Sequence, residues 1–173
     1  MRHTISVLVE NEFGVLARVA GLFSGRGFNI ESLSVAETLD ASVSRITLVT
    51  RGDDAVITQV EKQLNKLVNV IRVSDATEAP NVERELALIK VAVTPETRGE
   101  VANLIDIFRG KIIDVSASSY VIETTGTEDK ITALIALLQP IGILEIARTG
   151  RVAMYRGRRV LGTGTSDDEE HAA

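Results

Sequence analysis

TISVLVENEFGVLARVAGLFSGRG, residues 4–27, changes its period in the middle. From Thr4 to Val9 the apolar residues alternate, with Ile5, Val7 and Val9 on one face and β-branched side chains dominant, which is the pattern of a half-buried strand. From Gly14 the spacing becomes helical: Val15, Leu16, Val19, Leu22 and Phe23 share one face, and the glycines around Arg26 end the helix. Downstream, Phe28 to Thr38 and Val43 to Thr50 read as strands joined by the turn-prone Leu39-Asp40-Ala41-Ser42, an antiparallel hairpin. Val56, Ile57, Val60, Leu64 and Leu67 form a second helical stripe. Asp53 and Asp54 stand near its start, where negative charge suits the macrodipole. A strand from Val68 to Val73 completes the order β-α-β-β-α-β.

The pattern then repeats. Asp75 to Arg84 has Pro80, three acids and no large apolar residue but Val82, and reads as a linker. Leu86 to Val93 is a strand, and Pro95 suits the first turn of a helix whose buried stripe is Val101, Leu104, Ile105 and Phe108, ended by Gly110. Lys111 to Val115 and Tyr120 to Thr125 are strands. Ile131, Leu134, Ile135 and Leu138 form the fourth helical stripe, stopped by Pro140 and Gly142, and a last strand starts at Ile143 and extends toward Tyr155. Val19-Ala20-Gly21-Leu22 aligns with Val101-Ala102-Asn103-Leu104, and Gly27 with Gly110, at an offset of 82 to 83 residues. Leu64, Leu67 and Val70 align with Leu138, Ile141 and Leu144 at an offset of 74, so the first copy carries the longer hairpin. The expected class is α+β, with two tandem ferredoxin-like βαββαβ units. Residues 1–76 are the first unit, 77–84 a linker, 85–160 the second unit and 161–173 a disordered acidic tail. Two helices cover only one face of each sheet, so the bare face must be polar or packed against something, and a dimer or partner subunit is expected.

Composition narrows the chemistry. The chain has 173 residues, 45% of them hydrophobic, enough for a buried core. Its net charge of −5 falls to about −1 once Asp167, Asp168, Glu169 and Glu170 of the tail are set aside, without the basic excess of a nucleic-acid binder. There is no cysteine, and the only histidines, His3 and His171, stand at opposite ends, so no metal site and no catalytic residue is expected. MRHTISV reaches Glu10 with no leader-like run, and no apolar stretch is long enough for a membrane span. The expected location is the cytoplasm, with no membrane contact.

The most informative local signal is Asn11-Glu12-Phe13-Gly14-Val15-Leu16, a strand-to-helix junction whose following amides are open to an anion. An Asn-x-x-Gly also serves simply as cap and turn. Asn29, at the start of the next strand, supplies a second polar group, so that both ends of an amino acid zwitterion find partners; it too serves equally as a turn residue. Gly25-Arg26-Gly27 matches no phosphate loop and reads as helix termination. Arg148, Arg151, Arg156, Arg158 and Arg159 form a basic cluster, either a solvated edge or a docking surface. The first strand offers Ile5, Val7 and Val9 where an RNA-binding sheet would carry aromatic side chains.

FGVLARVAGLFSGRGFNIESL (13–33), QLNKLVNVIRV (63–73), ERELALIKV (83–91) and IIDVS (112–116) resemble the small regulatory subunit of acetohydroxyacid synthase, also called acetolactate synthase, over about residues 3–160. The first unit resembles an amino-acid-binding ACT domain. The resemblance implies a non-catalytic subunit that activates a large catalytic subunit and confers feedback inhibition by valine or another branched-chain amino acid. Thiamine diphosphate, magnesium and FAD would belong to that large subunit, with no cofactor on this chain. It also implies a homodimer through the ACT domains, with effector at their interface: Asn11, Gly14, Val15 and Leu16 on one side, Asn29 and Ile30 of the neighbouring copy on the other. Only the first copy of the repeat is expected to bind, because the second has Thr94-Pro95-Glu96 in place of the Asn-x-x-Gly junction. Two alternatives share the βαββαβ order. One is an ACT-type sensor acting on a different enzyme or a transcription regulator. The other is an acylphosphatase, which needs an arginine cradle that residues 10–16 lack.

Overall fold

A computed structural model describes residues 1–161. The expected tail, 161–173, lies outside the described residues except for Leu161. The chain forms two compact units, Met1–Val82 with the described residues from Ala153 onward, and Glu83–Val152.

The first unit runs β1 (Arg2–Glu10), α1 (Val15–Gly25), β2 (Ile30–Glu37), β3 (Val43–Arg51), α2 (Asp54–Leu64) and β4 (Val70–Asp75). Its antiparallel sheet has the order β2-β3-β1-β4. Alternation on β1 sends Ile5, Val7 and Val9 to the helix side, and the register sets Ile5 opposite Leu48 and Val7 opposite Ile46. Val15, Val19 and Phe23 of α1 and Ile57, Val60 and Leu64 of α2 close that core. Each such side chain contributes about 1.5–3 kcal/mol on burial. Helix α2 starts where Asp53 accepts a 2.8 Å hydrogen bond from the Val56 amide, a cap of about 1 kcal/mol.

The opposite sheet face mixes small polar and apolar side chains, with Thr4, Ser6, Leu8, Thr47 and Val49 all buried. Chain from the far end of the sequence lies on it. The Arg45 guanidinium donates to the Ala153 carbonyl at 2.7 Å, and the Tyr155 and Ser74 hydroxyls form a 2.5 Å hydrogen bond. The Arg156 Nε donates to the Asn81 carbonyl at 2.9 Å, and Arg159 stacks 4.2 Å over the Tyr155 ring. Residues 153–160, expected in the second unit, therefore group with the first from Ala153 on, and the first unit is discontinuous in sequence. The expected linker is also structured. Thr77 donates from its amide to Asp75 at 2.9 Å, and the next strand begins at Asn81.

The second unit carries β5 (Asn81–Ala92), α3 (Arg98–Ile107), β6 (Lys111–Val115), β7 (Ser119–Gly126), α4 (Glu128–Leu138) and β8 (Ile143–Arg148) in the sheet order β6-β7-β5-β8; β9 (Val152–Tyr155) pairs with β5. Ala87, Ile89, Val91, Val101, Ile105, Ile122, Ile131, Leu134 and Leu138 make the core. Two expectations change. Pro95 precedes α3 in a turn closed by Thr97 and Arg98 amides on the Thr94 carbonyl, so the helix starts three residues later. The last strand is interrupted at Gly150, whose φ of +78° breaks it into β8 and β9. Most of the basic cluster is used internally. Arg148 grips Glu85 through two 2.7 Å hydrogen bonds, and Arg151 joins Glu83 to Glu128.

One polar cluster of the first unit sets a pH response. The Asp75 amide donates to Glu61 at 3.1 Å, and His3 Nδ1 lies 2.8 Å from Asp75 Oδ2. Burial pushes the Glu61 carboxyl above its ordinary value, with the Asp75 charge adding to the rise and the Asp75 amide and His3 opposing it. The folded state therefore holds this proton more tightly than the unfolded chain, so the group costs stability as pH rises from about 4.5 through the raised value. Glu61→Gln keeps an acceptor for the Asp75 amide. Urea unfolding at a series of pH values is expected to show this variant at least as stable as wild type at pH 7, with a flatter decline across that window. An unchanged slope would show that Glu61 does not titrate differently on folding.

Candidate functional site

The β1–α1 junction is built by local hydrogen bonds. The Asn11 amide donates to the Ser42 carbonyl at 2.7 Å, and its side chain donates to Glu37 at 3.0 Å and the Ala41 carbonyl at 2.9 Å. Asn11 is thus spent on holding the β2–β3 turn. Gly14 is the residue before α1, at φ +82°, where a Cβ would meet no atom within 4 Å but would be strained by the backbone angle alone. The Arg18 amide returns to the Gly14 carbonyl at 3.0 Å, as in a helical first turn, and the Val15 amide makes a long 3.4 Å bond to the Glu12 carbonyl, which leaves the Leu16 and Ala17 amides as the open donors of the turn.

The amino end of α1 differs from the other described helices. Asp53 caps α2, and acidic residues stand in the first turns of α2, α3 and α4, whereas α1 has neither a side-chain cap nor a first-turn acid. Its partial positive charge is left for an anion from outside. Nearby acids Glu10 and Glu12 are engaged by the Asn69 side chain, at 2.6 and 3.3 Å, and Asn69 in turn accepts from Arg18. Asn69 is buried and organises the junction from the adjoining loop before β4. The sequence places it inside a strand read from Val68, whereas β4 starts at Val70, and no local signal marks its role.

The six expected binding residues do not converge within one chain. Asn11, Gly14, Val15 and Leu16 follow the end of β1 where Glu10 pairs with Val43. Ile30 pairs with Thr50, which pairs with His3 at the other end of β1, about 24 Å away at the strand rise. Val15 is buried in the core and its amide makes a long 3.4 Å bond to the Glu12 carbonyl, while Leu16 is exposed. Asn29 is exposed and its carbonyl accepts from Thr50 Oγ1 at 2.7 Å; Ile30 is half-buried against the core. Among the described residues, no group of three or more His, Cys, Asp or Glu side chains is placed to hold a metal ion, and no helix is long and apolar enough to cross a membrane.

Both units match known families. Residues 5–72 match the ACT domain of acetohydroxyacid synthase small-subunit type, and residues 84–157 match the family described as small subunit of acetolactate synthase. A probable acetolactate synthase small subunit of Archaeoglobus fulgidus is 59% identical over 92% of this chain and 99% of its own length. The acetolactate synthase small subunit of Aquifex aeolicus is 57% identical over 90% of this chain and 81% of its own. The crystal structure of the Thermotoga maritima small subunit superposes with a TM-score of 0.85 at 46% identity, covering 92% of this chain and 99% of that one.

Proposed function

Because the chain belongs to the family of acetolactate synthase small subunits, we propose that it activates a thiamine-diphosphate-dependent catalytic subunit and makes it sensitive to valine or another branched-chain amino acid. The observation that carries this reading is the likeness to small subunits through both units and nearly the whole length. Thiamine diphosphate, magnesium and FAD reside on the catalytic partner, and this chain takes no part in the bond-making steps. It acts by binding.

Where the effector binds is supported by the bare amino end of α1. The effector carboxylate sits on the amides that follow Gly14, and Leu16 covers part of its aliphatic side chain. Asn11 serves by holding the loop. The expected partner of the ammonium group, Asn29, lies at the other end of the sheet in its own chain, so a second copy supplies it. Strand β2 is a sheet edge running from Ile30 to Glu37. Antiparallel pairing of two such edges sets Ile30 of one copy opposite Glu37 of the other, beside the other copy's α1 entrance. Asn29 then accepts from the ammonium and Ile30 completes the apolar wall. Effector favours one packing of the two copies over another, and the catalytic subunit responds to that packing.

The test is reconstitution. Adding the purified chain to its catalytic subunit is expected to raise acetolactate formation to a plateau, and valine is expected to lower that plateau only when the chain is present. No change in rate at saturating chain would overturn the proposal.

A further inference from the structure

Three loops emerge at one end of the first unit: residues 11–14 after β1, 38–42 between β2 and β3, and 65–69 before β4. The register makes them neighbours, since the Asn11 amide donates to the Ser42 carbonyl and the Glu10 amide to the Asn69 carbonyl, at 2.7 and 2.9 Å. Each loop holds one large apolar side chain fully in solvent: Phe13 at 105%, Leu39 at 109% and Val68 at 92% of full exposure. Single exposed apolar residues are ordinary, but three on adjoining loops stand together at one end of the unit.

The frame beneath them is tied. Asn11 links the first loop to the second through Glu37 and Ala41, and Asn69 links the third to Glu10, Glu12 and Arg18. The loops that carry the apolar groups thus have little backbone freedom to lose on contact. Glu10, Glu12, Glu37 and Asp40 surround them, with Arg18 and Lys66 as the cations, and hydrogen bonds from Ser42 hold the Asp40 carboxyl below its ordinary value. A two-fold contact of this end with itself would press carboxylates together, whereas edge pairing through β2 uses the flank of a strand instead.

We infer that this loop end is the surface that docks on the catalytic subunit, Phe13, Leu39 and Val68 entering an apolar recess bordered by basic side chains. The inference rests on the reading of the chain as a small subunit. It also gives the effector a short route, because Phe13 adjoins Gly14, and a ligand on the α1 amides shifts the loop that carries Phe13.

The experiment uses full-length chain and catalytic subunit, with the chain concentration for half-maximal activation as readout. Phe13→Ser, Leu39→Ser and Val68→Ser are each expected to raise it about fivefold to tenfold, and Phe13→Ser with Val68→Ser about fiftyfold, within the range of interface anchors. Glu12→Lys is expected to weaken association and reduce its salt dependence. For Phe13→Ser, Leu39→Ser and Val68→Ser, melting temperature, sedimentation of the chain alone and valine binding by calorimetry are expected to stay as in wild type, since those three side chains are in solvent. Half-maximal activation within twofold of wild type in the double variant would overturn the inference. So would altered sedimentation of the variant chains alone, which would assign this end to contact between copies. Failure of the wild-type chain to activate would instead defeat the small-subunit reading, and this inference with it.

Discussion

Gly14→Asp is expected to raise the valine concentration for half-inhibition by about 30-fold or more while activation of the catalytic subunit persists. The new carboxylate occupies the uncapped end of α1, neutralises the partial charge that would hold the effector, and repels the effector carboxylate. A loss of about 2 kcal/mol corresponds to the lower end of that shift. The left-handed angle of +82° is tolerated by aspartate better than by most residues, and a Cβ there meets nothing, so the fold survives. Gly14→Ala separates strain from charge, because it suffers the same backbone angle without the carboxylate, and a shift of only a few-fold is expected. Inhibition of Gly14→Asp at the wild-type valine concentration would remove the effector carboxylate from this helix. Isothermal titration of the isolated chain gives the same comparison without the partner.

The second large effect is on stability. Tyr155→Ala is expected to destabilise the first unit by about 3–5 kcal/mol, the usual cost of deleting a buried ring. Tyr155 is buried on the sheet face opposite the helices, bonded to Ser74 and stacked under Arg159. Tyr155→Phe keeps the ring and leaves Ser74 without its partner, at a cost of about 1 kcal/mol. Urea unfolding followed by hydrogen exchange at the β1 amides reads the effect where it belongs, since the two units need not unfold together. A loss below about 1 kcal/mol for the alanine variant would mean that the segment from Ala153 is a loosely held end and not part of the unit.

The contrast between α1 and Tyr155 shows what a linear reading captures. Ile5, Val7 and Val9, and then Val15, Val19 and Phe23, declare their elements because each periodicity is local and one face must be buried. The same holds for Ile131, Leu134 and Leu138, and the duplication is legible because both copies obey one pattern. The path of residues 153–155 is not legible. Its partners Arg45 and Ser74 are remote in sequence, and the bonds involve a carbonyl and hydroxyls that leave no periodic mark. At the site, Gly14 stands out because a strand stops and a helix starts around it. Asn11 reads as a group open to ligand, but its donors are taken by Glu37 and Ala41. Asn69 goes unnoticed because its role depends on the pairing of β1 with β4, and spacing carries no trace of sheet order.

A discontinuous first unit also constrains the order in which the protein is made. The sheet and helices of residues 1–82 leave the ribosome first, with Ser6, Leu8, Thr47 and Val49 on a face whose cover, Ala153 and Tyr155, has yet to be translated. Residues 83–152 must be synthesised before the nascent chain can bring that cover back. A message truncated anywhere before codon 153 therefore yields a product with a permanently bare sheet, a substrate for chaperones and proteases rather than a shorter working subunit.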